Sequence, residues 1–251
     1  MAGHSKWSKV KRIKGALDVK RGKLFSKLSK EITVAARMGG GDPSGNPRLR
    51  AAVLAGRAQS MPNENIDRAI KRGTGEGDGA GHIEELVYEG YAPGGIALMV
   101  EVATDNKNRT AADLRLIFTK NHGNLGSSGS VGYLFRRRGQ IIVPFDAVAE
   151  DRLLEIVLDA GADELTADGE HSIITTAPDQ LYAVAEALKN AGVPSESQKL
   201  TYLPDTTVLL QDEAVAAQVL KLCDALEDND DVQSVHANFD LPEELLAKLS
   251  A

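Results

Sequence analysis

The sequence predicts an α+β protein of three domains: a helical N-terminal domain, then two ferredoxin-like α+β domains, with the third inserted into the second. Three observations predict this fold. Apolar residues recur at helical spacing in the first 72 positions, a glycine-rich segment follows at 73–81, and the pattern after it twice gives the order β-α-β-β-α-β. We therefore place domain 1 at 1–80, domain 2 at 81–139 and 204–251, and domain 3 at 140–203.

Three helices are predicted in domain 1 from their start and stop signals. Glycine commonly ends a helix, and an Asn-Pro pair supplies an N-cap and a favoured first residue. The signals, in chain order, are Asp18, Gly39 to Gly41, Asn46-Pro47, Ser60-Met61-Pro62 and Gly73. The following segment GTGEGDGAG alternates glycine with small or acidic residues, and this composition predicts a flexible linker.

Alternating apolar patterns and helical repeats place the elements of the other two domains. A strand is predicted at 82–91 and a short final helix from about Pro242. In domain 3 the predicted elements are strand 140–144, helix 146–160, strands 164–167 and 170–176, helix 178–191 and strand 197–203. In domain 2 they are strand 96–104, helix 108–121, strands 131–135 and 205–210, helix 213–227 and strand 232–238.

Charge is divided very unevenly along the chain. The whole chain carries a net charge of −7, yet residues 1–72 hold 17 bases and 5 acids, a net of +12. The other 179 residues hold 12 bases and 31 acids, a net of −19. The imbalance is steepest in the first 30 residues, with ten bases to one acid. A cluster of bases at one end predicts contact with phosphate or another polyanion, although a solvated basic face is the alternative.

Candidate nucleic-acid-binding residues follow from this charge map. They are Lys6, Trp7, Lys9, Lys11, Arg12, Lys14, Lys20, Arg21, Lys23, Arg136, Arg137 and Arg138. An aromatic ring inside a basic segment can stack on a base, but Trp7 could equally be a packing anchor for the first helix. The three consecutive arginines could hold phosphate through their guanidinium groups or form a solvated hinge between domains.

Several classes of protein are disfavoured. The five histidines have no metal-ligand spacing, the single cysteine, Cys223, fits a buried position in a helix, and GALDVKRGK fails as a phosphate-binding loop. The polar segment TDNKNRT at 104–110 is explained by a turn at Asp105 and Asn106 and an N-cap at Asn108. We therefore expect no enzyme, no cofactor and no metal. No apolar stretch could span a bilayer, and we expect a cytoplasmic monomer.

Several long segments resemble the YebC/PmpR family. They are MAGHSKW at 1–7, KRGKLFSKLSKEITVAARMGGGDPSGNPRLR at 20–50, MPNENIDRAIKRG at 61–73, YEGYAPGG at 88–95, TDNKNRT at 104–110 and GNLGSSGSV at 123–131. The likeness covers residues 1 to about 135 and, more loosely, the rest. Two residues depart from the family pattern, Ser60 where asparagine is usual and His122 where glycine is usual. These departures leave the local loop geometry open.

The resemblance implies a DNA-binding transcriptional regulator with a helical first domain. It also implies an alternative function, that of a ribosome-associated translation factor that assists the synthesis of difficult, proline-rich peptides. This alternative arises because a related mitochondrial protein is a translational activator of cytochrome oxidase and bacterial relatives have been linked to ribosomes and proline-rich peptides. DNA, ribosomal RNA or both are therefore the expected partners, and the acidic domains could bind protein. The lack of a recognisable helix-turn-helix predicts weak sequence specificity.

Overall fold

The computed structural model describes residues 21–76 and 83–250 as an α+β protein, in which helices are followed by antiparallel sheets. Contacts divide the chain into two compact units, one running to Phe135 and resuming at Pro204, the other spanning Arg136–Leu203. This division does not separate the N-terminal helices from the first sheet. The three domain boundaries given above therefore stay predictions, whereas the predicted fold class is confirmed.

The elements follow one another in this order. The N-terminal region contains α1 (Arg21–Gly39), α2 (Pro47–Ala58) and α3 (Asn63–Thr74). The first sheet region then has β1 (Glu84–Ala92), β2 (Ile96–Thr104), α4 (Lys107–Lys120) and β3 (Asn124–Leu125). The second unit has β4 (Phe135–Pro144), α5 (Glu150–Asp159), β5 (Ala162–Ala167), β6 (His171–Thr176), α6 (Leu181–Asn190) and β7 (Ser197–Pro204). Last come β8 (Val208–Leu209), α7 (Glu213–Glu227), β9 (Val232–Ala237), β10 (Phe239–Asp240) and α8 (Glu243–Ser250).

The buried side chain of Asn46 joins the first two helices. Its Oδ1 accepts from the Leu49 N–H at 3.1 Å, which is the predicted N-cap of α2. Its Nδ2 donates to the Ala35 and Gly40 carbonyl oxygens at 2.8 and 2.9 Å. It therefore also provides hydrogen-bond donors to carbonyl groups at the C-terminal end of α1. One amide side chain therefore fixes the corner around which the apolar core of these helices packs.

The sheet of the second unit has the strand order β5-β6-β4-β7. This is the order expected of β-α-β-β-α-β, with the third strand between the first two. Its core joins this sheet to α5 and α6 through residues such as Ile141, Val157 and Leu188. The predicted elements of domain 3 are all present, with ends that differ by a few residues.

The first sheet has the strand order β3-β1-β2-β9, which is equivalent to that of the second unit. The position between the first and second strands of the motif, which its third strand would normally fill, is here filled by β1. β1 lies between β2 and β3 and is antiparallel to both, although it precedes them in the chain. The prediction that strands 131–135 and 205–210 belong to this sheet was wrong. Residues Gly132–Leu134 form a 3-10 turn, and within the described ranges β8 pairs with β10 alone, in parallel.

A buried carboxylate explains why 131–134 does not form a strand. Glu89 accepts hydrogen bonds from the N–H groups of Gly129, Val131 and Gly132 at 2.7, 2.7 and 2.6 Å, so these donors are not available to a sheet. Burial opposes ionisation of Glu89, but the three hydrogen bonds outweigh it, and its pKa lies below the ordinary value. The loop that follows β3 is thereby fixed to β1.

Ser60 and His122, the two departures from the family pattern, share an unusual backbone conformation. Their φ angles are +59° and +60°, in the left-handed region that favours glycine and asparagine. His122 directly follows the C-cap Asn121 of α4, the position at which helices commonly place glycine. The residues usual in the family at these two positions therefore suit the backbone better than those present.

Replacing His122 by glycine should stabilise the protein. The left-handed conformation costs an ordinary residue roughly 1–2 kcal/mol, and the greater freedom of glycine when unfolded offsets part of that gain, leaving about 0.5–1 kcal/mol. Denaturant unfolding of His122→Gly would measure the increase. Lys120→Gly, two residues earlier in the last turn of α4, is the matched control and should lose stability. A loss in both variants would contradict this account.

Candidate nucleic-acid interface

Most of the predicted nucleic-acid-binding residues lie outside the described part of the chain. This holds for Lys6, Trp7, Lys9, Lys11, Arg12, Lys14 and Lys20. Arg21 and Lys23 lie in the first turn of α1, and Arg136, Arg137 and Arg138 lie on β4. The structure therefore brings Arg21 and Lys23 onto one helix and places the three arginines in the other unit.

Three lysines of α1 contact the C-terminal end of α7. Lys23, Lys27 and Lys30 recur at helical spacing, and each Nζ donates to a backbone carbonyl oxygen, those of Asp228, Glu227 and Asp230, at 2.9, 2.7 and 2.8 Å. We call these three residues the lysine ladder. The carbonyl groups at a helix C-terminus carry partial negative charge, so the ladder caps α7 electrostatically. Lys23 thus has a partner within the chain.

Asp231 is the centre of the same contact. Its Oδ1 accepts from Lys30 Nζ at 2.6 Å, and its Oδ2 accepts from Thr110 Oγ1 at 2.7 Å and Arg109 Nη2 at 3.1 Å. Burial raises the pKa of this carboxyl, but these hydrogen bonds and the charge of Lys30 lower it by more, from 3.8 to about 2. Asp231 is therefore ionised at neutral pH despite a side-chain exposure of 9%.

The segment TDNKNRT supplies most of the partners of Asp231. Its N-cap is Asn106, whose Oδ1 accepts from the Arg109 N–H at 3.1 Å, and the prediction of Asn108 as the cap was wrong. Asn106 occupies the position because its backbone is non-helical where the helix begins, with φ −145° and ψ 88°, and Thr104 Oγ1 accepts from its N–H at 3.0 Å. Arg109 and Thr110 are then directed towards Asp231. Sequence reasoning missed this role, although the acidic stretch EDNDD at 227–231 is visible in the chain.

A second set of contacts joins the helices to β1. Arg48 donates to the carboxylates of Glu31 and Glu85, at 2.8 Å through Nε and 2.6 Å through Nη2. Burial opposes the charge of Arg48, but the two carboxylates outweigh it, so its pKa is raised above the ordinary value. The Arg37 guanidinium also donates to the Ile83 carbonyl. Together with the lysine ladder, five bases of the N-terminal helices thus contact residues beyond 82.

Other bases of the N-terminal helices are exposed to solvent. Arg57 lies on α2, and Arg68 and Lys71 lie on α3, with their side chains outside the helical core. In the second unit Arg136 and Arg137 are exposed, and Arg138 Nη1 lies 2.9 Å from Asp163 Oδ2. Guanidinium and ammonium groups on a surface can bind phosphate without reading base sequence.

Within 21–76 and 83–250, no group of three or more His, Cys, Asp or Glu side chains is arranged to hold a metal ion. Among the helices of those ranges, none combines the length and apolar character required to cross a bilayer. Cys223 is fully buried in α7, as its place in an apolar helical pattern predicted.

These features define a class of protein: a multidomain α+β chain whose basic helical region docks on an acidic sheet region. Comparison with known proteins gives the family. The profile described as "TACO1/YebC protein N-terminal domain" matches residues 5–76, and "TACO1/YebC second and third domain" matches residues 83–239. The chain belongs to the TACO1/YebC family.

Relatives match along the whole chain. A probable transcriptional regulatory protein of Rubrobacter xylanophilus is 56% identical over 250 residues, with all of both chains covered. One of Chlorobaculum tepidum, with the same description, is 55% identical over 251 residues and 99% of each chain. The crystal structure of a conserved hypothetical protein from Aquifex aeolicus is similar with a TM-score of 0.83 and 52% identity, over 90% of this chain and 92% of that one. The names of the relatives support assignment to a family of regulators.

Neutralising Asp231 should lower stability at neutral pH and remove part of its acid dependence. A depressed pKa stabilises the fold above pH 3.8, and this contribution is lost as the pH falls through about 2. The shift corresponds to roughly 2 kcal/mol of unfolding free energy. Denaturant unfolding at pH 6 and pH 2 should therefore show a smaller difference for Asp231→Asn than for the parent. Asp113→Asn on α4 is the control, and equal differences in all three proteins would refute the assignment.

Proposed function

We propose that this protein is a regulator that binds nucleic acid through residues 1–72, with DNA as the main target. The observation that carries the proposal is the division of charge, +12 in residues 1–72 against −19 in the rest of the chain. A phosphate backbone is attracted to the first part and repelled by the second, so binding is confined to one end of the sequence. The regulator names of the relatives agree with this role.

The contacts within the chain support a narrower choice of bases for the proposed surface. Residues 21–76 hold 11 bases, and five of them, the lysine ladder with Arg37 and Arg48, contact groups beyond residue 82. The proposed surface therefore relies on the bases of residues 1–21 and on exposed bases such as Arg57, Arg68 and Lys71. Arg136 and Arg137 form a second, smaller candidate patch.

The remaining domains have a different proposed role. Residues 140–203 hold 3 bases and 12 acids, which disfavours contact with phosphate and suits binding to a protein. The proposed activity is binding by a monomer and requires neither catalysis nor a cofactor. Because phosphate contacts position a protein without reading bases, the proposal includes weak sequence preference.

Neutralising bases in residues 1–20 should weaken binding to duplex DNA of any sequence. If Lys9, Lys11 and Lys14 each contact a phosphate, changing all three to glutamine should make the slope of log K against log salt less negative by about 3. The matched control changes three exposed lysines of the acidic residues 73–251 to glutamine; they are Lys107, Lys120 and Lys221. The two variants have the same net charge, so equal slopes would place the site elsewhere.

A second candidate function is binding to ribosomal RNA, and the single tryptophan favours it. Trp7 lies among the bases at 6–14, and stacking on an unpaired base contributes about 1–3 kcal/mol. Trp7→Ala should then weaken binding to a structured RNA with unpaired bases by that amount and binding to duplex DNA by less than about 1 kcal/mol, because duplex bases are already stacked. Equal losses on both ligands would argue against stacking, and no loss would return Trp7 to a packing role.

A further inference from the structure

The groups that contact the lysine ladder have the chemistry of a phosphate backbone. The turn at 227–231, which we call the acidic turn, presents oxygen acceptors in a row to three consecutive lysines of one helix face. These acceptors are the carbonyl oxygens of Glu227, Asp228 and Asp230 and the carboxylates of Asp228 and Asp231. An ammonium group makes the same short contacts with phosphate oxygens. The turn therefore occupies sites that a polyanion could use.

The contact between the helices and the first sheet region depends largely on charge. Among the described residues, the apolar cluster that spans this contact is small and consists of Val34, Ile83 and Ala103. The lysine ladder, Asp231 and the pair of Arg48 with Glu85 supply polar contacts. Interfaces within a chain that are small and polar permit relative motion of the parts they join, and salt weakens their exposed pairs.

We propose that the acidic turn is an internal competitor of nucleic acid for the lysine ladder. In the docked state the turn holds Lys23, Lys27 and Lys30, and these lysines are not available to phosphate. A duplex that binds the neighbouring bases of residues 1–21 raises the local concentration of phosphate beside the ladder and displaces the turn. Binding then releases the helices from the first sheet region. This inference rests on the proposed function and adds to it a residue-level means of regulation.

Thermodynamic linkage makes the proposal quantitative. If docking and DNA binding exclude each other at the ladder, weakening the docked state must strengthen DNA binding, and DNA must weaken docking to the same extent. Coupling between two sites is commonly about 5- to 150-fold in affinity. Asp228 and Asp231 are the residues to change, because their carboxylates pair with Lys23 and Lys30 while the lysines themselves remain intact.

The first measurement compares affinities of full-length proteins for one 20-base-pair DNA duplex. Asp228→Asn/Asp231→Asn should bind about fivefold more tightly than the parent, or better. The control Asp113→Asn/Glu244→Gln removes the same number of charges from α4 and α8, and its affinity should stay within about twofold of the parent. Asp228→Asn alone keeps the test valid if the double variant does not fold, since this side chain is 77% exposed. It should show a smaller gain of the same sign.

The second measurement follows the docking itself. Gln59 and Lys107 are exposed residues on the two sides of the contact, and Cys223 is buried. The double variant Gln59→Cys/Lys107→Cys would therefore take a pair of spin labels at these two positions. Adding the duplex should shift the measured distance distribution to longer and broader values, and Asp228→Asn/Asp231→Asn should shift it in the same direction without DNA. A distribution that DNA leaves unchanged would overturn the proposal, even if the acidic-turn variant binds more tightly.

The outcomes separate this inference from the proposed function. If the parent binds the duplex and the acidic-turn variants bind no better than the control, the inference fails and the function stands. If the acidic-turn variants bind and the parent does not, the inference is supported in its strongest form. If neither the parent nor any variant binds the duplex at low salt, the proposed DNA function fails and the inference fails with it.

Discussion

The ion pair between Lys30 and Asp231 is the interaction on which the arrangement of the first unit depends. A carboxylate with 9% of its side chain exposed is stable in the ionised form only when its lost hydration is replaced. Here Lys30 comes from the helical region, whereas Thr110 and Arg109 come from the start of α4. The replacement is complete only when the helices are docked. Removing one partner leaves a buried charge partly unsatisfied, so the cost of losing the contact is greater than the attraction of a single pair.

The division of charge in the sequence therefore has two consequences that oppose each other. It allows the basic helices to dock on the acidic turn, and it gives the same region an attraction for phosphate. The net charge of −7 conceals both, because opposite charges at the two ends cancel in the total. Of the 11 bases in residues 21–76, those of the lysine ladder cannot serve both partners at once. Docking and binding of a polyanion are thus linked by geometry as well as by long-range electrostatics.

Local signals in the sequence predicted most helices and strands. The errors occur where residues far away in the sequence determine the local structure. The Asn46-Pro47 start of α2 is local, since the cap bonds a residue three positions away. By contrast, the loop at 129–132 takes its shape from Glu89, about 40 residues earlier, and the segment at 104–110 is directed by Asp231, more than 120 residues later. Chain order suggested that 205–210 would be the strand between β2 and β3 in the first sheet, yet β1 lies there. A periodic pattern shows that a strand exists but does not identify its neighbour.

The two units have equivalent sheet orders, although their strands follow one another differently along the chain. This difference helps to explain how the sequence of one unit can be inserted into that of the other. β1 already lies between β2 and β3. The first sheet therefore needs no strand from the region near 135 and 204, where the chain passes into the second unit and comes back. At that region the Asp205 N–H donates to the Leu134 carbonyl oxygen at 2.9 Å, so the two crossing points are neighbours within the first unit. A domain whose ends lie close together can be inserted into a host domain with little disturbance of the host. The strand pairs of the first sheet and the hydrogen bonds between the lysine ladder and the acidic turn are made by residues of the first unit, so the proposed competition at the acidic turn is built from that unit's own residues.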